Sequence, residues 1–267
     1  MKNEIKRALF KKTNLILVAA IFGLMFLNAY YSGLKTALTV NASSDLLSVE
    51  DVIFTKKYYG NMYRVWKNAY YLTQALAPLF LAAPYLNTYL SEKTGHFRYF
   101  CTCRKGNRKY ALQKEFAVAL SGMVVLSFAE LLFAVISALL TERDLSLEYM
   151  EGIVSYKEDF FLSSPFLYFA LIFVSHLVYY FFFTIFALGI TSFLKNKIAV
   201  LVTPFIAATV MDVVLPAALR PNVVMRPYNR SFSPFGFLLL ICLYGIIGHV
   251  ALMMSERIYL KKGNDKG

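Results

Sequence analysis

The chain has 267 residues, 58% of them hydrophobic, with 24 Phe, 19 Tyr and a mean hydropathy of +0.53. A soluble domain does not run this apolar over such a length, so composition excludes an ordinary water-soluble enzyme and points to a polytopic membrane protein. The net charge of +12 would suit a nucleic-acid binder, but the Lys and Arg residues are gathered between apolar runs, a distribution that fits membrane topology and anionic lipid head groups; no nucleic-acid partner is expected.

In chain order, residues 1–13 place Met1, Ile5, Ala8 and Leu9 on one helical face and Lys2, Lys6, Arg7 and Lys11 around the other. This is the pattern of a helix lying in the inner membrane interface, or of a frayed basic tail that only fixes topology. Six apolar runs follow, each of roughly 18–25 residues, the length needed to cross about 30 Å of hydrocarbon. They predict spans at about 14–31, 70–90, 116–140, 166–193, 198–219 and 235–258. Runs this long suit helices rather than the short alternating strands of a barrel. The expected fold is therefore an all-α polytopic membrane protein with one transmembrane domain over 1–267. A cleaved signal peptide is the alternative reading of the first run. Against it, the run is long, no clean small-x-small site follows directly, and removal would leave an odd number of spans.

The segments between spans differ in charge. Segment 32–69 is long and mixed. Segment 91–115, SEKTGHFRYFCTCRKGNRKYALQKE, carries seven Lys or Arg against Glu92 and Glu115. Segment 141–165 is acidic, with Glu142, Asp144, Glu148, Glu151, Glu158 and Asp159. Segment 220–234 combines Pro221, Pro227 and Pro234 with Arg220, Arg226 and Arg230. With the amino terminus inside, 18 of the Lys and Arg residues fall on the inner side and 10 on the outer. Basic residues near span ends stay inside, so both termini and segment 91–115 are predicted to be cytoplasmic.

No catalytic constellation is apparent. The chain has no G-x-x-x-x-G-K-[ST] phosphate loop, no H-E-x-x-H and no G-x-S-x-G elbow. His96, His176 and His249 are dispersed. Cys101 and Cys103 with His96 offer three metal ligands where a structural zinc site usually needs four, so no metal is expected. Cys242 lies in an apolar run, and the three Cys residues suggest no disulfide framework. Glu130 and Asp212 are acids within spans, which must face protein, water or a cation. They are either proton carriers or packed acids hydrogen-bonded to neighbouring helices. Gln74, Asn87, Asn28 and Thr203 line a path or bond between helices, two readings that polarity alone does not separate.

Segment 91–115 in this setting resembles the cytoplasmic loop between spans two and three of ABC-2-type transporter permeases. The matching features are Glu92, Gly95, the Phe97-Arg98 step, the basic turn from Arg104 to Arg108, and Lys114 leading into span three. An interfacial amino-terminal helix, six spans and two inner termini match the family over nearly the whole chain. The resemblance implies that this loop is a coupling helix docked on a separate ATP-binding subunit, with a second contact near 194–197. ATP and Mg would then be cofactors of that partner and not of this chain. It further implies a second permease subunit, as homodimer or heterodimer, and a central path lined by spans two and five. By position, Tyr71, Gln74, Thr203, Met211 and Asp212 are the candidate lining residues, and 220–234 would lie at the outer gate.

The expected function is therefore the permease subunit of an ABC exporter in a bacterial cytoplasmic membrane, not an enzyme by itself. Its substrate would be amphipathic or apolar: a peptide, a lipid-like molecule or a drug. Two alternatives remain at this stage: a proton-coupled secondary carrier using Asp212 or Glu130, and a non-transporting assembly or immunity protein.

Overall fold

The computed structural model describes residues 2–40, 48–84, 86–94, 106–141 and 146–264, and among these no strand element occurs. The first helix, α1 (Lys2–Leu9), has Glu4 in its first turn and Lys6 and Arg7 in its last, the charge order that a helix dipole favours. A buried Asn14 donates to the carbonyls of Ala8 at 2.7 Å and Leu9 at 3.0 Å, covering acceptors that a helix end leaves open. The amino-terminal segment is thus helical and is tied back onto α2 (Lys12–Ala29), with Ala8 fully buried.

A π-helical turn (Tyr30–Leu34) carries α2 into α3 (Lys35–Thr39). The next helix, α4 (Val49–Gly60), begins at a capping box in which Ser48 and Asp51 exchange hydrogen bonds. The Asn61 side chain accepts the Tyr63 N–H at 3.0 Å and starts α5 (Met62–Ala82). Then come α6 (Leu86–Thr94), α7 (Asn107–Leu140), α8 (Leu147–Met150), α9 (Glu158–Ser163), α10 (Pro165–Thr191) and α11 (Lys197–Val214). A 3-10 turn (Ala217–Leu219), α12 (Pro221–Val224) and α13 (Pro234–Asn264) complete the chain.

Among the described residues, five helical stretches are long and apolar enough to cross a membrane: Lys12–Thr39, Arg108–Leu140, Pro165–Thr191, Lys197–Val214 and Pro234–Tyr259. They coincide with five of the six expected spans. The expected span 70–90 differs. It is not one helix, because α5 starts earlier, at Met62, and ends at Ala82 before a turn at Ala83 and Pro84. Pro84 has no N–H to continue the ladder, and proline disfavours helix in the residue before it. The helix also buries a stripe of mixed character, Trp66, Tyr70, Gln74, Ala77 and Leu81, at helical spacing. Two other boundaries move. The third predicted span begins within 91–115, at Asn107, and the fifth stops at Val214, short of Pro216.

The centre of the bundle is α10, which packs along both α13 and α7, while α5 packs against α2, α7, α10 and α11. The α10–α13 seam closes at glycines. A Cβ on Gly189 would lie 2.3 Å from the Gly248 carbonyl oxygen, and one on Gly248 would lie 2.5 Å from that of Ile185. Small residues that let helix backbones touch are how apolar helices associate without a hydrophobic driving force between them. One end of the bundle gathers α1, α6, the start of α7 and the last turns of α10 and α13; it is called the α1 end below. The opposite end, the α12 end, gathers α8, α9 and α12 against α5.

Candidate functional site

Within this apolar bundle two polar networks stand out, one at each end. At the α1 end, Lys114 of α7 is 1% exposed. Its Nζ lies 2.5 Å from Glu4 Oε2 of α1 and 2.5 Å from Glu92 Oε2 of α6. Arg7 reaches both acids, at 3.3 Å to Glu92 and 3.5 Å to Glu4, and Tyr110 donates to Glu92 at 3.2 Å. Two cations and two carboxylates therefore close into one balanced cluster. An unpaired buried charge would cost several kcal/mol, so the four groups hold one another in place. Lys11 donates to Thr88, and burial, followed by the nearby Arg7 charge, pulls its amine below the ordinary lysine range. Beside the cluster, Lys93 donates to Ser255 Oγ at 2.8 Å and to the Ser192 carbonyl, linking α6 to the ends of α10 and α13. Tyr89 donates to the fully buried Glu256 at 2.6 Å, and Glu115 meets His249 at 2.9 Å.

Toward the α12 end, Glu130 of α7 and His176 of α10 are buried together, with Glu130 Oε1 at 3.1 Å from His176 Nδ1. His176 Nε2 lies 3.0 Å from the carbonyl oxygen of Met225. A carbonyl can only accept, so Nε2 carries a hydrogen. The contact at Nδ1 then needs a further proton, held by the imidazole or by the carboxyl. Either placement leaves the pair neutral overall, which suits an apolar surround. Tyr180 donates to the other Glu130 oxygen at 3.4 Å. Gln74 of α5 donates to the same Met225 carbonyl at 2.9 Å and accepts from Arg226 Nε at 2.8 Å and from Tyr228 at 3.4 Å. The network thus joins α5, α7 and α10 to the segment after α12.

Next to Arg226 lies a cavity of about 360 Å³ lined by Ser32, Lys67, Asn68, Tyr71, Ser155, Arg226, Tyr228 and Asn229. The Arg226 guanidinium sits over the Tyr71 ring at 4.6 Å, and the Lys67 amine over the Tyr228 ring at 5.8 Å. The backbone N–H groups of Ser155 and Tyr156 both donate to the Tyr228 carbonyl, fixing this wall.

The structure brings some of the sequence-derived candidates together and separates others. Glu92 and Lys114 meet in the α1-end cluster. Arg108 is exposed in the first turn of α7, and Gly95, Phe97, Arg98 and Arg104 lie outside the described residues, as do His96, Cys101 and Cys103. Tyr71 and Gln74 converge on Arg226. Thr203, Met211 and Asp212 sit on α11 and are half-buried. The Asp212 carboxylate accepts the Asn222 N–H at 2.8 Å and so caps α12. Glu4 was not singled out from sequence, Arg7 was read only as part of the basic face of residues 1–13, and His176 only as one of three dispersed histidines. Arg7 and Glu4 are a local i,i+3 pair, but Arg7–Glu92, Lys114–Glu4 and His176–Glu130 join residues more than 40 apart, and no local spacing connects those.

No protein-family model, curated protein or solved structure matches this chain.

Proposed function

We propose that this chain is the membrane subunit of an ATP-driven exporter, with both termini cytoplasmic and the α1 end facing the cytoplasm. In this reading α5 and α6 together form the second of six crossings, and the segment 91–115 is the contact for a separate ATP-binding subunit that carries ATP and Mg. The observation that carries the proposal is the buried Lys114. It ties α1 and α6 to the start of α7, so the two helices flanking 95–105 are clamped into one unit. A push from a partner on that segment would move α5 and α7 together, and these helices border the Gln74 network. Asn196, whose side chain accepts the Ile198 N–H at 2.8 Å, fixes the start of α11 at the second expected contact. The apolar face of α11, exposing Ile198, Val202, Ile206, Val210 and Val213, suits lipid or a second permease subunit. The substrate is amphipathic or apolar, in keeping with the aromatic-rich bundle.

The test is affinity capture of the tagged chain from native membranes in mild detergent, with mass spectrometry of its partners. A stoichiometric phosphate-loop ATPase is expected, and Arg98→Ala is expected to reduce its recovery while the chain stays folded. Capture of the folded chain with no ATPase would count against the exporter. A specific observation favours a second reading in that event. The Glu130–His176 pair, with its single shared proton, suits a proton-coupled carrier. That reading predicts transport that follows a pH gradient and survives ATP depletion.

A further inference from the structure

We propose that the cavity at the α12 end is a binding site for a phosphate-bearing anion, either a soluble phosphate ester or the head group of an anionic lipid. Among the described residues its lining holds two cations, Lys67 and Arg226, and no carboxylate. Neither cation forms an ion pair with any of the described residues. Lys67 is half-buried, one turn before the apolar part of α5. A desolvated cation without a counter-ion is costly, and an anion in the cavity would relieve that cost. Arg226 spends its Nε on Gln74, and among the described residues its two terminal nitrogens have no hydrogen-bond acceptor. These form the forked donor pair that matches a phosphate.

The neighbouring charges support the same reading. Asp212 acts on Arg226 from a distance, but its carboxylate is engaged by Asn222 and does not line the cavity. Arg64 adds a further positive charge near Lys67. The remaining lining, Ser32, Asn68, Ser155 and Asn229, supplies neutral hydroxyl and amide groups able to complete the shell of an oxyanion. A volume of about 360 Å³ admits a glycerol phosphate but not a large peptide. The two tyrosine rings under the cations keep them in position when the site is empty. This assignment concerns binding by the chain alone, so it stands or falls separately from the exporter reading.

The experiment uses the full chain purified in a neutral detergent. Inorganic phosphate and glycerol 3-phosphate are titrated by calorimetry. Phosphatidylglycerol is compared with phosphatidylcholine by native mass spectrometry. Lys67→Met keeps the aliphatic stem, Arg226→Lys keeps one charge, and Lys12→Met at the opposite end serves as control. Thermal melting of each variant reports folding. The expected result is binding of at least one phosphate probe, weakened at least tenfold by Lys67→Met and by Arg226→Lys and unchanged by Lys12→Met. Binding of the soluble probes identifies a soluble anion, and binding of phosphatidylglycerol alone identifies a lipid head group. No binding by any probe, or equal binding by folded Lys67→Met, would overturn the proposal.

Discussion

The two polar networks solve the same problem in opposite ways. At the α1 end, full charges are paired: buried Lys114 and exposed Arg7 against Glu4 and the buried Glu92. Toward the α12 end, Glu130 and His176 stay neutral as a pair by sharing a proton, and the uncancelled cations, Lys67 and Arg226, sit at a cavity. A closed, balanced cluster fixes helices to one another. A proton-sharing pair beside an unbalanced cavity has states to choose between.

The largest expected effect falls on the seam that connects the two ends. Gly248→Leu would force side-chain atoms into the backbone of α10, where even a Cβ lies 2.5 Å from a carbonyl oxygen. The expected outcome is loss of folded, detergent-stable protein, read by size-exclusion profile. A monodisperse Gly248→Leu protein with normal melting would contradict the seam.

Next, Lys114→Met leaves Glu4 and Glu92 with Arg7 alone, one carboxylate in excess, and should cost about 3–5 kcal/mol, the usual penalty for breaking a buried ion pair. Adding Glu92→Gln should recover most of the melting temperature, because one carboxylate then faces one cation. Failure of the double variant to recover would mean that packing, not charge balance, holds this end.

Smaller effects are expected at the proton-sharing pair. Glu130→Ala leaves His176 Nδ1 without a partner and should destabilise by about 1–3 kcal/mol. Glu130→Gln should cost less, since an amide N–H can donate to a neutral imidazole. Nitrogen-labelled His176 should show a hydrogen on Nε2 in both the wild type and Glu130→Gln. A bare Nε2 would refute the bond to Met225. The smallest effect is at Asn196→Ala, which removes the cap of α11 and should cost about 1 kcal/mol by melting, with no change in the Glu130–His176 signals.

Much of the helical order was legible because apolar run length is a local property. Five of the expected spans appear as apolar helices with shifted ends, and the amino-terminal helix follows its own periodicity. The break in 70–90 could be read only in part: Pro84 marks a stop, but Pro78 lies inside α5 without ending it. The difference is set by what surrounds each proline. The candidate path residues divide along the same line. Gln74 was visible as a polar residue in an apolar run, yet its role depends on Met225 and Arg226, about 150 residues away.

By itself, the sequence determined the all-helical class, the apolar lengths and the charge asymmetry between the segments that join them, because periodicity, hydropathy and charge act over a few residues. Only the tertiary structure decided which charges cancel. Lys114 could have faced solvent, and Glu130 could have stood alone. Pairing in a bundle depends on which helix faces touch, and packing across the whole fold sets that.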